Sequence, residues 1–212
     1  MKKIISLAVI AVMVVGFEAP AFATSFSLPS TPITASVDGN LTLTATLFKD
    51  SAAGPTGLAL SAINFGQLQT FTNTSTNGQT LRSSDTGIGA VMGGVVALIS
   101  ANSHGLPYTI SQTGTALTGS GGTIPTGACT VVPFYAVQDN FGNSIPGGAA
   151  VGAKGSWVGT RTLYTSEPAA SIKIIQAHYS ITDDPAAGAS SAVLVSQAGG
   201  TYSGSVTFTV TA

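Results

Sequence analysis

The fold is decided by the segment from Ile33 to Leu47, which reads ITASVDGNLTLTATL. Its odd-numbered positions carry apolar residues or glycine, and its even-numbered positions carry polar residues throughout. Because side chains alternate between the two faces of a β-strand, this period of two predicts a strand with one apolar face and one hydroxyl-lined face. An amphipathic helix would need apolar residues at i, i+3 and i+4, which the segment lacks.

The length of this segment raises a question of pairing. Its fifteen residues, at about 3.3 Å each, would span roughly 50 Å, whereas a usual strand has about five or six residues. The Asp38-Gly39 pair is a favoured two-residue hairpin turn. The sequence therefore leaves three alternatives open: one long bent strand, a hairpin, or a strand lent to a neighbouring molecule.

Residues 1–23 have the pattern of a secretory signal peptide. Lys2 and Lys3 precede an apolar stretch from Ile4 to Phe17, and Ala21-Phe22-Ala23 is a small-residue cleavage site. The apolar stretch is shorter than the roughly 20 residues that a bilayer span needs. We therefore expect an exported protein, extracellular or at the cell surface and reaching it through a periplasm. A tail over residues 24–32 is expected to be flexible unless something captures it, and residues 33–212 to form a single domain.

Charge is scarce along the whole chain. Only 7% of the residues are charged, against about 25% in a typical globular protein. Removing the leader leaves five basic and seven acidic residues, with no basic patch, which excludes nucleic acid as a partner. Uncharged hydroxyl faces can pack together without the desolvation of ions, so this composition is typical of secreted and polymerising surface proteins.

The rest of the chain reads as short strands separated by turns rich in Gly, Pro and Asn, and no stretch after the leader has helical periodicity. This pattern predicts an all-β antiparallel sandwich. Pro133 indicates an edge or bulged strand. Between residues 172 and 181 the odd positions make the cleaner core face. Strands are predicted around Ile63 and Phe65, and over residues 95–99, 106–110, 131–137, 157–164, 172–181, 193–195 and 202–210.

No constellation for catalysis or metal binding is apparent. His104 and His178 are the only histidines and have no ligand-type neighbours at suitable spacing. Asp85 lies in an Asp-Thr-Gly tripeptide, but aspartic-protease chemistry needs two such aspartates. Cys129 is the only cysteine, which excludes an intrachain disulfide and favours a buried thiol over an intermolecular bridge. We predict no enzymatic activity and no cofactor.

Two weaker binding motifs have ordinary structural explanations. Asp183-Asp184 and the segment 139–143 carry oxygen ligands suited to Ca²⁺, although solvated turns are the favoured interpretation. Trp157 and Tyr164 flank Arg161 and could stack on a sugar, although core aromatics are favoured.

The closing residues 200–212, GTYSGSVTFTVTA, resemble the final strand of chaperone–usher pilins and of the related spore coat protein U domains. The Ile63-Asn64-Phe65-Gly66 element is also similar to one found early in those domains. The resemblance implies an immunoglobulin-like antiparallel β-sandwich that lacks a strand and is completed by the N-terminal strand of the next subunit. It also implies a periplasmic chaperone and an outer-membrane usher as partners.

The residues that this resemblance would place in strand exchange lie at both ends of the mature chain. The donated side chains could come from either of two sets of residues. The sandwich could also be completed by a strand of its own chain, without any exchange. Pilins often carry a disulfide that this chain cannot form. The groove-filling side chains would be Ile33, Ala35 and Val37, or instead Leu41, Leu43, Ala45 and Leu47, with Tyr202, Val206, Phe208 and Val210 on the closing strand.

The sequence thus predicts an exported structural subunit of a pilus-like surface fibre (a fimbrium) or of a coat, which polymerises with copies of itself by β-strand addition. The alternative is a secreted module that acts in cell adhesion or carbohydrate binding.

Overall fold

The computed structural model describes residues 24–28, 33–37, 41–49, 56–73, 78–83, 94–103, 105–135, 150–166 and 173–212. The predicted signal peptide, residues 1–23, lies outside the described residues.

One large sheet has five strands and contains both ends of the described chain. Its spatial order is β1-β18-β8-β14-β12, and all its pairings are antiparallel. Its strands are β1 (Thr24–Leu28), β8 (Thr109–Gly114), β12 (Ala150–Val151), β14 (Gly159–Thr165) and β18 (Val206–Thr211).

The second large sheet has seven strands and is also antiparallel. Its order is β13-β11-β15-β7-β3-β2, and β4 pairs with the far end of β3. Its strands are β2 (Ile33–Val37), β3 (Leu41–Lys49), β4 (Thr56–Leu60), β7 (Val95–Asn102), β11 (Cys129–Tyr135), β13 (Gly155–Ser156) and β15 (Lys173–Ile181).

Two small sheets and two single-turn 3₁₀ helices complete the described part. The first small sheet contains β5 (Gln69–Asn73), β6 (Gly78–Arg82) and β16 (Val193–Leu194). The second contains β9 (Thr118–Gly119), β10 (Gly122–Thr123) and β17 (Tyr202–Ser203). The 3₁₀ helices are Thr126–Ala128 and Pro185–Ala187.

The core lies between the two large sheets. Tyr179 on β15 meets Phe208 on β18, with 6.5 Å between the ring centroids, and the Tyr179 hydroxyl donates a hydrogen bond to Gln112 Oε1 on β8. Burial along β3 alternates residue by residue from Leu41 to Leu47, as the period of two predicts. The all-β antiparallel sandwich is therefore confirmed, while its immunoglobulin-like character stays a prediction.

The segment from Ile33 to Leu47 forms a hairpin. Strands β2 and β3 pair antiparallel, with Ile33 opposite Ala45 and Val37 opposite Leu41, so three residues separate them. Of the three alternatives that the sequence left open, the hairpin is the one found in this chain. Because β3 also pairs with β7 on its other side, β3 is an interior strand.

Part of the expected flexible tail is paired. Residues Thr24–Leu28 form β1, which pairs with β18 through five consecutive positions. For these residues the expectation of flexibility is corrected, because the last strand of the same chain captures them. Residues 29–32 lie outside the described part.

The strand predicted around Ile63 and Phe65 is wrong. Residues 61–68 are irregular, because the Asn64 side chain accepts a hydrogen bond from the Gly66 backbone N–H at 2.8 Å and Gly66 has a φ of +63°. Such an Asx-type turn competes with strand pairing.

Other strands also differ from the prediction. Strand β8 begins at Thr109 rather than at 106. Strand β14 begins at Gly159 rather than at 157. Strands β9 and β10 form a short hairpin where no strand is predicted.

Candidate functional site

The first two strands of the described chain lie at sheet edges. Strand β1 is the outermost strand of the five-stranded sheet and pairs with β18, whereas β2 lies at the edge of the seven-stranded sheet and pairs with β3. The two strands contact each other, and only residues 29–32 join them. The N-terminal segment therefore crosses from one sheet to the other on one side of the sandwich.

The closing strand is the partner of β1. On β18 the side chains of Val206, Phe208 and Val210 are buried in the core, as their alternation with threonine predicts. Phe26 stands opposite Phe208 in the register. Without β1, β18 would be the edge of its sheet and would present unpaired backbone groups.

The structure separates the two predicted sets of donor residues. Ile33, Ala35 and Val37 lie on the edge strand β2. Leu41, Leu43, Ala45 and Leu47 are buried on β3, which pairs with neighbours on both sides. The N-terminal strands at an edge are thus β1 and β2.

The edge strand β4 is unusually apolar. Leu58 is 89% exposed, and Gly57 and Ala59 beside it are also exposed. The register of β4 against β3 skips between Leu47 and Lys49, so this stretch bulges away from the ladder. Exposed apolar edge strands are templates for pairing with another chain. The sequence does not predict this strand, because Gly54-Pro55 and Gly57 are typical of a loop.

The outer face of the five-stranded sheet is lined by hydroxyl groups. Neighbouring hydroxyls meet across strands, for example those of Thr113 and Thr160 at 3.0 Å. None of the face's described side chains on β8, β14 and β18 is charged. They are Thr109, Ser111, Thr113, Thr160, Thr162, Thr165, Thr207, Thr209 and Thr211.

A cleft of about 620 Å³ lies at one end of the sandwich, between the loop 62–68 and the segment 197–206. We call it the end cleft. In its floor, Phe65 stacks on Trp157 with ring centroids 5.0 Å apart and an interplanar angle of 8°. Tyr202 is predicted to lie on the closing strand, but it belongs to β17 in a separate small sheet. It lines this cleft and is half-buried.

The rim of the end cleft is held by side-chain hydrogen bonds. Gln197 Nε2 donates to the Gly121 carbonyl at 3.1 Å and to the Tyr202 hydroxyl at 2.8 Å, and Tyr202 in turn donates to the Ala198 carbonyl. The sequence does not predict this site, because its walls come from segments far apart in the chain. The sequence feature that could have indicated the cleft is Asn64-Phe65-Gly66, which forms the turn that positions Phe65.

The predicted sugar-stacking pair does not form a surface site. Trp157 is only 3% exposed and Tyr164 is fully buried. Both rings belong to the core, which confirms the favoured structural interpretation of these residues. Arg161 donates to the carbonyls of Ser156 and Ala153.

His178 is buried, and its Nε2 lies 3.2 Å from Gln176 Oε1. Its ring meets Phe134 edge-on, with 5.2 Å between the centroids. His104, Asp85 and residues 139–143 lie outside the described residues.

The two aspartates after β15 have structural partners. Asp183 forms an ion pair with Arg82 and accepts a hydrogen bond from the Thr80 hydroxyl at 3.1 Å. Asp184 accepts from the Ala186 N–H at 2.8 Å and so caps the second 3₁₀ helix. Over the described ranges, no group of three or more His, Cys, Asp or Glu side chains is placed to hold a metal ion.

Cys129 is a buried free thiol. Burial raises the pKa of this thiol to about 12, so the reactive thiolate is essentially absent at neutral pH. This agrees with the favoured interpretation of the lone cysteine.

Comparison with protein-family models, with curated proteins and with solved structures finds no match in any of the three. Among the described residues there is no helix with the length and apolar character that a membrane crossing would require.

Proposed function

We propose that this protein is an exported structural subunit of a surface fibre or coat, and that it polymerises by adding the N-terminal strand of one copy to the sandwich of the next. The observation that carries the proposal is the position of β1. It is the first described strand, it lies at an edge, and it completes the sheet beside β18.

The pairing of β1 with β18 can be reproduced between two copies. The five register positions from Thr24 opposite Val210 to Leu28 opposite Val206 are defined by backbone hydrogen bonding and alternation. A β1 strand from a second copy would satisfy the same groups of β18. Repeated head-to-tail exchange generates a filament when the rotation between copies does not close a ring.

The surface supports the same proposal. Soluble β-proteins usually protect their edges with charges or proline, but this chain has 7% charged residues and an exposed Leu58 on β4. The hydroxyl face of the five-stranded sheet offers Thr–Thr contacts for lateral packing at low desolvation cost. The pilin resemblance adds an immunoglobulin-like domain, a periplasmic chaperone and an outer-membrane usher to this proposal.

A cross-linking experiment distinguishes exchange between copies from pairing within one chain. In the register, Ser25 stands directly opposite Thr209, and opposite residues of an antiparallel pair are close enough for a disulfide. We would oxidise filaments of the Ser25→Cys/Thr209→Cys variant and run them on a non-reducing denaturing gel. Strand exchange predicts a ladder of covalent oligomers that collapses to monomer on reduction.

Single-cysteine variants are the matched controls, and each should give at most a dimer. The native Cys129 should not interfere, because it is buried and its pKa is raised to about 12. A fast-migrating intrachain monomer as the sole product would contradict the proposal.

A further inference from the structure

We propose that the end cleft, between the loop 62–68 and the segment 197–206, is a binding site for an uncharged carbohydrate. This inference goes beyond the proposed assembly role and does not depend on it, because the end cleft is formed without β1 or β2.

The dimensions of the end cleft suit a small ligand. Its volume of about 620 Å³ falls within the roughly 300–1,000 Å³ of small-molecule sites. It is formed by the loop after β4, by the segment around β17 and by the floor residue Trp157. Such a junction of loops on a rigid sandwich is a common place for recognition.

The absence of charged side chains in the lining limits the kinds of ligand that the end cleft can bind. None of the described residues that line the end cleft is Asp, Glu, Lys, Arg or His. A phosphate, carboxylate or ammonium group placed there would lose its hydration without gaining an opposite charge. The site therefore favours a neutral ligand over a charged one.

The distribution of apolar and polar groups points to a sugar. The floor is apolar, with the stacked Phe65 and the side chains of Leu117 and Ile124, while Gln67 supplies an amide at the rim. A neutral sugar has an apolar C–H face, which packs on aromatic rings, and hydroxyl edges, which bond amides and carbonyls. A pure hydrocarbon would instead leave the rim groups desolvated and unpaired.

The walls are also preorganised. The Asn64–Gly66 turn fixes Phe65 over Trp157, and the Gln197–Tyr202–Ala198 hydrogen bonds fix the opposite wall. Binding then requires little ordering of loops, which lowers its entropic penalty.

Intrinsic fluorescence gives a direct assay. Trp157 is the only tryptophan in the chain and lies in the floor of the end cleft. We would titrate the mature protein with neutral hexose oligosaccharides and, in parallel, with a uronic-acid oligosaccharide and a fatty acid. The proposal predicts a saturable fluorescence change with at least one neutral oligosaccharide, a Kd that changes less than about twofold between 50 and 500 mM NaCl, and at least tenfold weaker binding of the charged probes.

A blocking variant localises the site. A Cβ atom at Gly199 would meet no atom within 4 Å, and Gly199 is exposed and lines the end cleft. Gly199→Phe should therefore fold normally and weaken binding at least about tenfold, while Ala186→Phe, at an exposed alanine away from the cleft, should leave the Kd unchanged. Gln67→Ala is a second variant, at an exposed rim position, and should weaken binding severalfold.

No response to any neutral oligosaccharide would overturn the proposal. So would preferred binding of the fatty acid or the uronic-acid probe, or unchanged affinity in a correctly folded Gly199→Phe variant. Filament formation is measured separately, so failure of this proposal leaves the assembly proposal to its own cross-linking test.

Discussion

The hydrogen bond between Tyr179 and Gln112 crosses the core and links the two large sheets. Both side chains are fully buried, the Tyr179 hydroxyl donates to Gln112 Oε1, and Gln112 Nε2 donates to the Trp157 carbonyl at 3.2 Å. Burial raises the pKa of Tyr179 well above its usual value, so the hydroxyl keeps its proton and remains a donor. Because both side chains are fully buried, loss of one partner leaves a buried polar group on the other.

We expect Tyr179→Phe to lower the free energy of unfolding by about 1–3 kcal/mol, since it leaves Gln112 Oε1 buried without its donor. Gln112→Met keeps the side-chain length but removes both hydrogen bonds, and should lower the free energy of unfolding by about 2–4 kcal/mol. In the double variant neither partner of the cross-sheet bond remains, so the loss should fall short of the sum of the single losses by about 1–2 kcal/mol.

Urea unfolding of the mature protein, followed by Trp157 fluorescence, measures this cycle. The indole lies 5.7 Å from the Tyr179 ring, so unfolding of this part of the core changes its surroundings directly. Losses that add to within about 0.5 kcal/mol would refute the inference, because residues that do not interact are additive to that level.

Three further outcomes are expected. Arg82→Met should lower the free energy of unfolding by about 2–4 kcal/mol, because it removes the charged partner of Asp183, whose side chain is 4% exposed. Urea unfolding measures this loss, and a change below about 1 kcal/mol would contradict the prediction. Burial raises the pKa of Cys129 from 9.0 to about 12, so the contribution of its thiol to stability is intact below pH 9. That contribution is lost as the pH rises toward 12, by about 4 kcal/mol in total. Thermal melts at increasing pH should therefore show a shallower alkaline decline in stability for Cys129→Ala than for the wild type, and parallel curves would count against this prediction. Deleting residues 24–32 should leave a folded subunit that forms no filaments in electron micrographs, and persistent filaments would argue against strand addition through β1.

The period-two pattern predicts the most regular strands well. On β3 and β15 the odd-numbered apolar positions are buried as expected, because this face of the sheet packs into the core. The pattern does not show that the opposite face of β15 is also covered. Ser180 there is buried and its hydroxyl lies 2.7 Å from that of Thr130; a serine in this position looks solvent-facing in the sequence.

The end cleft could not be predicted from the sequence, for two physical reasons. The loop that carries Phe65 depends on one side-chain hydrogen bond of Asn64, which outweighs the strand propensity of Ile63 and Phe65. The closeness of Phe65, Trp157 and Tyr202 is a product of topology, since these residues are far apart in the chain and meet only when the sheets pack.

The pairing of β1 with β18 has a consequence for the time course of folding. The first described strand has its partner at the opposite end of the chain, and such a distant contact closes a very large loop and forms late. If the rest of the sandwich forms first, the edge of β18 stays open until β1 pairs with it. Under the proposed assembly, protein concentration would then decide the outcome, because the β1 strand of a neighbouring copy competes with the chain's own β1 for that edge.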